Sequence, residues 1–274
     1  MVAAVLMAAS VLLRLVTTMG WRGLATAFFC YGLIATFVVL DLGRHAPHQR
    51  FGAANSVTLV RAAITALLWG IIGETMLGSR DLDAALRWLL ALAATGALLL
   101  DGADGWIARR CGMASDFGAD FDMEVDSLFT LALALLVYDT GRVGVWVLLG
   151  GLMRYVFALV GWFWPTFAVP LLPRRRRKVI SAVQGTVLIA VLAPPLAPDA
   201  AQGLCLAGLG LLTYSFGVDV LWLATRPSGG VASTRDWRDK KRSETALSHS
   251  SPSLSRKVLA NARRPTVRKR AGWG

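Results

Sequence analysis

The sequence predicts an all-α fold, a polytopic membrane helix bundle, and three observations predict it. Of 274 residues, 55% are apolar and only 17% are charged, where a soluble domain carries about 25% charged residues. Mean hydropathy is +0.54. Apolar runs of about 17 to 22 residues recur along most of the chain, the length that crosses a hydrocarbon core roughly 30 Å thick. A soluble globular enzyme is thereby excluded. A secreted disulfide scaffold is excluded too, because Cys30, Cys111 and Cys205 are isolated and show no pairing pattern. Each lies in or beside an apolar run and reads as a small apolar packer.

Taken in order, the candidate spans are 2–18, 24–41, 57–78, 83–104, 118–138, 142–164, 179–195 and 203–225. The first resembles a signal peptide only in position. It lacks a basic n-region, carries Arg14 inside, and has no clear cleavage site before the next run, so it reads as a membrane helix. After the last span comes a tail rich in Ser, Arg and Lys. From Arg226 onward, 13 Lys and Arg face three acids, so +10 of the net +12 sits there. Such a composition cannot bury enough surface to fold, and the tail 226–274 is expected to be disordered. Its expected partner is the anionic face of the cytoplasmic leaflet, not nucleic acid.

Eight spans put both chain ends on one side, and the basic residues choose that side. Arg44 and Arg50, the run Arg174 to Lys178, and the tail all fall on one face. The other face has short turns around Arg22, Arg80, Arg142 and Pro194 to Pro198. The basic face is therefore expected in the cytoplasm, and the chain in the inner (plasma) membrane. Many of the ten tryptophans, Trp21, Trp88, Trp106, Trp162, Trp164 and Trp222 among them, lie near span ends as interface anchors.

The informative stretch runs from Asp101 to Arg109 and on through Gly118, Asp122 and Asp126. Helical spacing puts Asp101 and Asp104 on one face at the end of one helix, and Gly118, Asp122 and Asp126 on one face at the start of the next. A short connection, 110–117, brings the four carboxylates together at the membrane edge. Four such charges repel and are costly to desolvate. Two divalent cations would balance them, and all-oxygen ligation favours Mg²⁺, Mn²⁺ or Ca²⁺ over zinc or copper. Asp116, Asp120 and Glu124 fall off this face, or in the loop, and read as solvated bystanders.

The pattern D-x-x-D-G-x-x-A-R-x8-G-x3-D-x3-D, here Asp101, Asp104, Gly105, Ala108, Arg109, Gly118, Asp122 and Asp126, resembles the signature of the CDP-alcohol phosphotransferases. The eight-residue gap between Arg109 and Gly118 argues against the phosphatidylcholine synthase branch, known for a longer one. The resemblance covers about residues 52–225 and implies a six-helix catalytic core there, with an N-terminal membrane hairpin and linker (1–51) before it. It implies transfer of a phosphatidyl group from a CDP-linked alcohol, usually CDP-diacylglycerol, to a hydroxyl acceptor with loss of CMP, and a homodimer. It further implies two Mg²⁺ or Mn²⁺ ions held by Asp101, Asp104, Asp122 and Asp126, with Asp126 also the general base. Gly105 and Ala108 would leave room for the nucleotide, and Arg109 would fork onto the pyrophosphate.

Supporting residues keep two readings each. Asn55, Thr58 and Arg61 form N-x-x-T-x-x-R at the start of the first core helix; Asn55 either caps that helix or, with Thr58, touches the nucleotide. Ser115 either donates to a phosphate or is a plain loop serine. Arg154, inside a span, either pairs with a carboxylate such as Asp219 or faces an anionic acceptor. The run Arg174 to Lys178 either anchors the cytoplasmic side or, through Arg177 or Lys178, holds a phosphorylated acceptor. A different class of function is a cation-binding transporter or scaffold. Transporters place ion sites near the bilayer midplane, whereas this cluster lies at a helix–loop–helix boundary.

Overall fold

Helices carry most of the described chain. A computed structural model describes residues 16–17, 19–41, 53–78, 81–111, 116–163 and 175–224. Among these, seven α-helices and no strands occur: α1 (Trp21–Asp41), α2 (Ala53–Met76), α3 (Ala84–Cys111), α4 (Asp116–Asp139), α5 (Leu148–Phe163), α6 (Arg175–Leu192) and α7 (Pro198–Ala224). A 3₁₀ turn, Val145–Val147, leads into α5. The all-α class is thus as the sequence predicts. Of the first expected span only residues 16–17 are described, and the tail 226–274 lies outside the described residues. The chain divides into two units, Met1–Leu221 and Trp222–Gly274; everything below concerns the first.

Local chemistry sets the helix ends. Asp83 caps α3, its Oδ1 accepting from the Leu86 amide at 2.7 Å. Gly141, with φ +68°, follows α4, where a residue with a Cβ would be strained. Pro194 and Pro195 follow the end of α6, and Pro198 opens α7, where its missing N–H is no loss. Two boundaries differ from expectation. The fourth span was expected to end near 104, but α3 continues through Cys111, since nothing from Trp106 to Cys111 breaks a helix. Asp116, expected in a loop, is the first residue of α4.

Three described helices are long and apolar enough to cross a membrane: Asn55–Met76, Ala84–Gly102 and Pro198–Val218. Val145–Val156 and Val179–Leu192 are shorter apolar stretches. The protein is therefore a membrane protein. Apolar side chains point outward as well as inward, Phe28, Phe29, Leu99 and Leu221 among them, a surface suited to lipid rather than water. Helix α4 is more acidic than these, because Asp116, Asp120, Asp122, Glu124 and Asp126 crowd its first half. It is nonetheless the centre of the bundle. It packs against α2, α5 and α6 and touches α1, and Phe121, Val125, Ala132, Leu133 and Leu136 on it are fully buried.

Helices α1 and α2 cross closely through glycines. A Cβ on Gly70 would lie 2.9 Å from the Gly23 carbonyl oxygen and 3.0 Å from the Ala27 Cβ. The Gly23 amide donates to Glu74 Oε1 at 2.6 Å, and Arg22 Nη1 donates to the Leu77 carbonyl at 2.7 Å. Deeper in the bundle, Cys30 and Ile34 of α1 pack with Ala62, Phe121 and Val125. Small residues at such a crossing let backbones approach. Gly70→Ala is expected to destabilise the protein by about 1–3 kcal/mol through overpacking, read as a lower unfolding midpoint in detergent. An unchanged midpoint would mean that the crossing relaxes freely.

At the end of the bundle where α6 finishes, two arginines serve backbone carbonyls. Arg87 donates to Leu192 O at 2.9 Å and Ala193 O at 3.2 Å. Arg142 donates to Leu196 O at 2.9 Å and Pro194 O at 3.0 Å. These cations satisfy the orphan carbonyls after a helix C-terminus. Arg142 is thus bound into a turn and is not a free surface charge.

Candidate functional site

The opposite end of the bundle gathers the start of α2, the end of the apolar part of α3, the first half of α4 and the start of α6. On α2, helical spacing stacks Asn55, Thr58, Arg61 and Thr65 on one buried face. Asn55 lies inside the helix, since α2 begins at Ala53, so it is not the N-cap. Below this polar stripe the same helix turns apolar, with Leu68, Ile71 and Ile72 in the core.

Arg61 is the hub. Its side chain is 2% exposed, and its Nη1 lies 2.8 Å from Asp101 Oδ1 and 2.5 Å from Asp122 Oδ1. Its Nη2 lies 3.6 Å from Asp126 Oδ1. Carboxylates from α3 and α4 thus meet on one guanidinium from α2. Each of the three remains about one-third exposed, so the cluster is open on the side away from Arg61. The planar fork of arginine suits this, since two nitrogens serve three carboxylates at once.

Asp126 is held from two sides. Besides Arg61 facing its Oδ1, Ser181 on α6 donates to its Oδ2 at 3.0 Å. It is also the carboxylate set farthest from the guanidinium. Next to it, Glu124 is not a solvated bystander: its Oε2 accepts from Arg154 Nη2 at 2.7 Å, tying α4 to α5. Arg154 was expected to pair with Asp219 or to face an acceptor. Its described partner is Glu124, and the Asp219 side chain lies outside the described residues.

The fate of the other expected site residues follows from where they lie. Gly118 sits in the first turn of α4, one helical turn before Asp122. Asp104, Gly105, Ala108 and Arg109 are on the last turns of α3, and Arg177 and Lys178 on the first turn of α6, but their side chains lie outside the described residues, as does Ser115 altogether. Among the described residues, no three metal-ligating side chains are set as a ready cage. Of the four acids expected to converge, Asp101, Asp122 and Asp126 meet at Arg61, and the Asp104 side chain lies outside the described residues. The donor set still fits a hard divalent cation. It is all oxygen, and among the described residues three carboxylates face one guanidinium.

Two of these partners have different sequence signals. Arg61 sits three residues after Thr58 on the polar face of an apolar helix, and an arginine there needs an acid nearby. Ser181 has no such signal, since a lone serine in an apolar run usually bonds to its own helix.

The comparisons add one match. A family description, CDP-alcohol phosphatidyltransferase, fits residues 51–216, which spans α2 through most of α7 and leaves α1 outside. No curated protein and no solved structure matches the chain.

Proposed function

Because the chain belongs to the CDP-alcohol phosphatidyltransferase family, and so transfers a phospho-alcohol group from a CDP-alcohol in a lipid environment, we propose that its donor is CDP-diacylglycerol. The acceptor is a hydroxyl compound, CMP leaves, and the product enters phospholipid synthesis. The observation that carries this reading is the group of three carboxylates on Arg61 at the end of the apolar segments of α2 and α3. A lipid-linked pyrophosphate would present its phosphates at that depth while its acyl chains stay in the bilayer.

In this reading Asp101, Asp104, Asp122 and Asp126 hold two Mg²⁺ or Mn²⁺ ions, which when bound supply charge neutralisation for the pyrophosphate and the departing CMP. Arg109 clamps a phosphate, and Gly105 and Ala108 leave room for the nucleotide, with Asn55, Thr58 and Gly118 lining its approach. Asp126 removes the proton of the acceptor hydroxyl as the oxygen attacks phosphorus. Its weaker hold by Arg61, 3.6 Å against 2.5 and 2.8 Å for the other two acids, supports that role. Arg177 and Lys178 favour a phosphorylated acceptor. The site faces the cytoplasm of the inner membrane, and the homodimer implied by resemblance belongs to the same reading.

The test is purified protein in detergent with radiolabelled CDP-diacylglycerol, Mg²⁺ or Mn²⁺, and an acceptor panel of glycerol 3-phosphate, inositol phosphate and serine. Release of CMP with one acceptor, lost in excess chelator and restored by the ion, is expected. Full activity in chelator would remove the metals from the reaction, and no CMP release with any acceptor would remove the donor.

A further inference from the structure

Helical serines and threonines in this bundle mostly turn back on their own backbone. Thr65 donates to Arg61 O, Thr95 to Ala91 O, Ser127 to Met123 O, Thr130 to Asp126 O and Thr186 to Ala182 O, each four residues back. This is the ordinary behaviour of a hydroxyl in an apolar helix. Ser181 departs from it. Its hydroxyl crosses from α6 to α4 and donates to Asp126 Oδ2 at 3.0 Å.

The crossing has a consequence for the carboxylate. An aspartate side chain turns about two bonds, and its terminal torsion is soft. Arg61 faces one oxygen of Asp126 and Ser181 binds the other. With Oδ2 hydrogen-bonded from α6 and Oδ1 facing the guanidinium of α2, the carboxyl plane has a preferred orientation, and the Ser181 hydrogen bond is the shorter of the two contacts that set it. Helix α6 packs against both α3 and α4, the two helices that bring the acids, so it is placed to hold this geometry.

We infer that Ser181 is a positioning residue of the transfer reaction, orienting the Asp126 carboxylate toward the acceptor hydroxyl. The inference rests on the reading of Asp126 as general base. Ser181 takes no proton itself; it keeps its hydrogen bond to Oδ2 while the proton of the acceptor passes to Asp126. Nothing in the signature of the acidic cluster includes a residue on α6; this contact joins α6 to the residues that α2, α3 and α4 gather at the site.

The experiment uses the full chain in detergent, with CMP release from CDP-diacylglycerol measured against glycerol 3-phosphate, inositol phosphate and serine. Ser181→Ala is expected to lower kcat about 10-fold, the size of one hydrogen bond, with KM for CDP-diacylglycerol unchanged. Ser181→Thr keeps the hydroxyl and is expected to recover most of the rate. In an Asp126→Asn background, Ser181→Ala is expected to cost less than about 2-fold more, because the two act as one unit. Equal losses in both backgrounds, no loss in Ser181→Ala, or failure of Ser181→Thr to recover rate with a normal unfolding midpoint would each overturn the inference. Near-normal turnover in Asp126→Asn would instead overturn the base reading, wild-type protein that releases no CMP would overturn the donor reading, and the inference would fall with either.

Discussion

Asp126→Asn is expected to lower turnover by about 10²-fold or more, the usual size of general-base catalysis, with a much smaller effect on binding of CDP-diacylglycerol. The substitution keeps the shape of the side chain and one oxygen able to accept from Ser181, whose hydroxyl lies 3.0 Å from Oδ2. What it removes is the group that takes the proton. Steady-state kinetics with the active acceptor and direct binding of CDP-diacylglycerol separate the two effects. A drop in binding as large as the drop in turnover would make Asp126 chiefly a binding group. Near-normal turnover would take the base role from it. Asp122, only four residues earlier, is the natural contrast. It sits 2.5 Å from Arg61, so Asp122→Asn is expected to disturb the cluster itself, and with it binding.

The helices were legible because lipid demands long apolar runs, and runs of that length cannot be hidden in a sequence. Asp101, Asp122 and Asp126 were legible for a related reason. Carboxylates at helical spacing beside an apolar segment are costly unless something neutralises them, so their spacing points to a site. What the spacing could not give was the neutralising partner. Arg61 is 40 residues before Asp101 in sequence, and only the packing of α2 against α3 and α4 brings them together. The same holds for Glu124. Its position two residues from each of two site acids puts it on another face of α4, which was read correctly, but what waits on that face is Arg154 of α5. Helix boundaries were the least legible feature. Helix α3 runs past Gly102 into the motif because the motif is itself helical in period, and hydropathy alone gives no reason to continue it.

Arg61→Met is the second large effect, and it tests the electrostatics of the site without reference to turnover. Methionine fills much of the buried volume and removes the charge, leaving Asp101, Asp122 and Asp126 facing one another without their shared cation. Removing one partner of a buried ion pair costs about 3–5 kcal/mol. With part of the cluster open to solvent, the lower figure is the better guide. For a domain of this size that corresponds to an unfolding midpoint lower by on the order of 10 °C, measured in detergent with chelator present. Added Mg²⁺ or Mn²⁺ is then expected to raise the midpoint of Arg61→Met more than that of the wild type. In the variant the ion meets carboxylates with no competing guanidinium, and a ligand that binds only the folded state stabilises it by mass action. Arg61→Lys separates charge from shape. It restores the charge but has one nitrogen where Arg61 uses two, so it is expected to recover part of the stability and not all. A variant as stable as the wild type in chelator would mean that water already neutralises the three acids. A midpoint that Mg²⁺ and Mn²⁺ leave unmoved in Arg61→Met would mean that these carboxylates do not bind the ion at all.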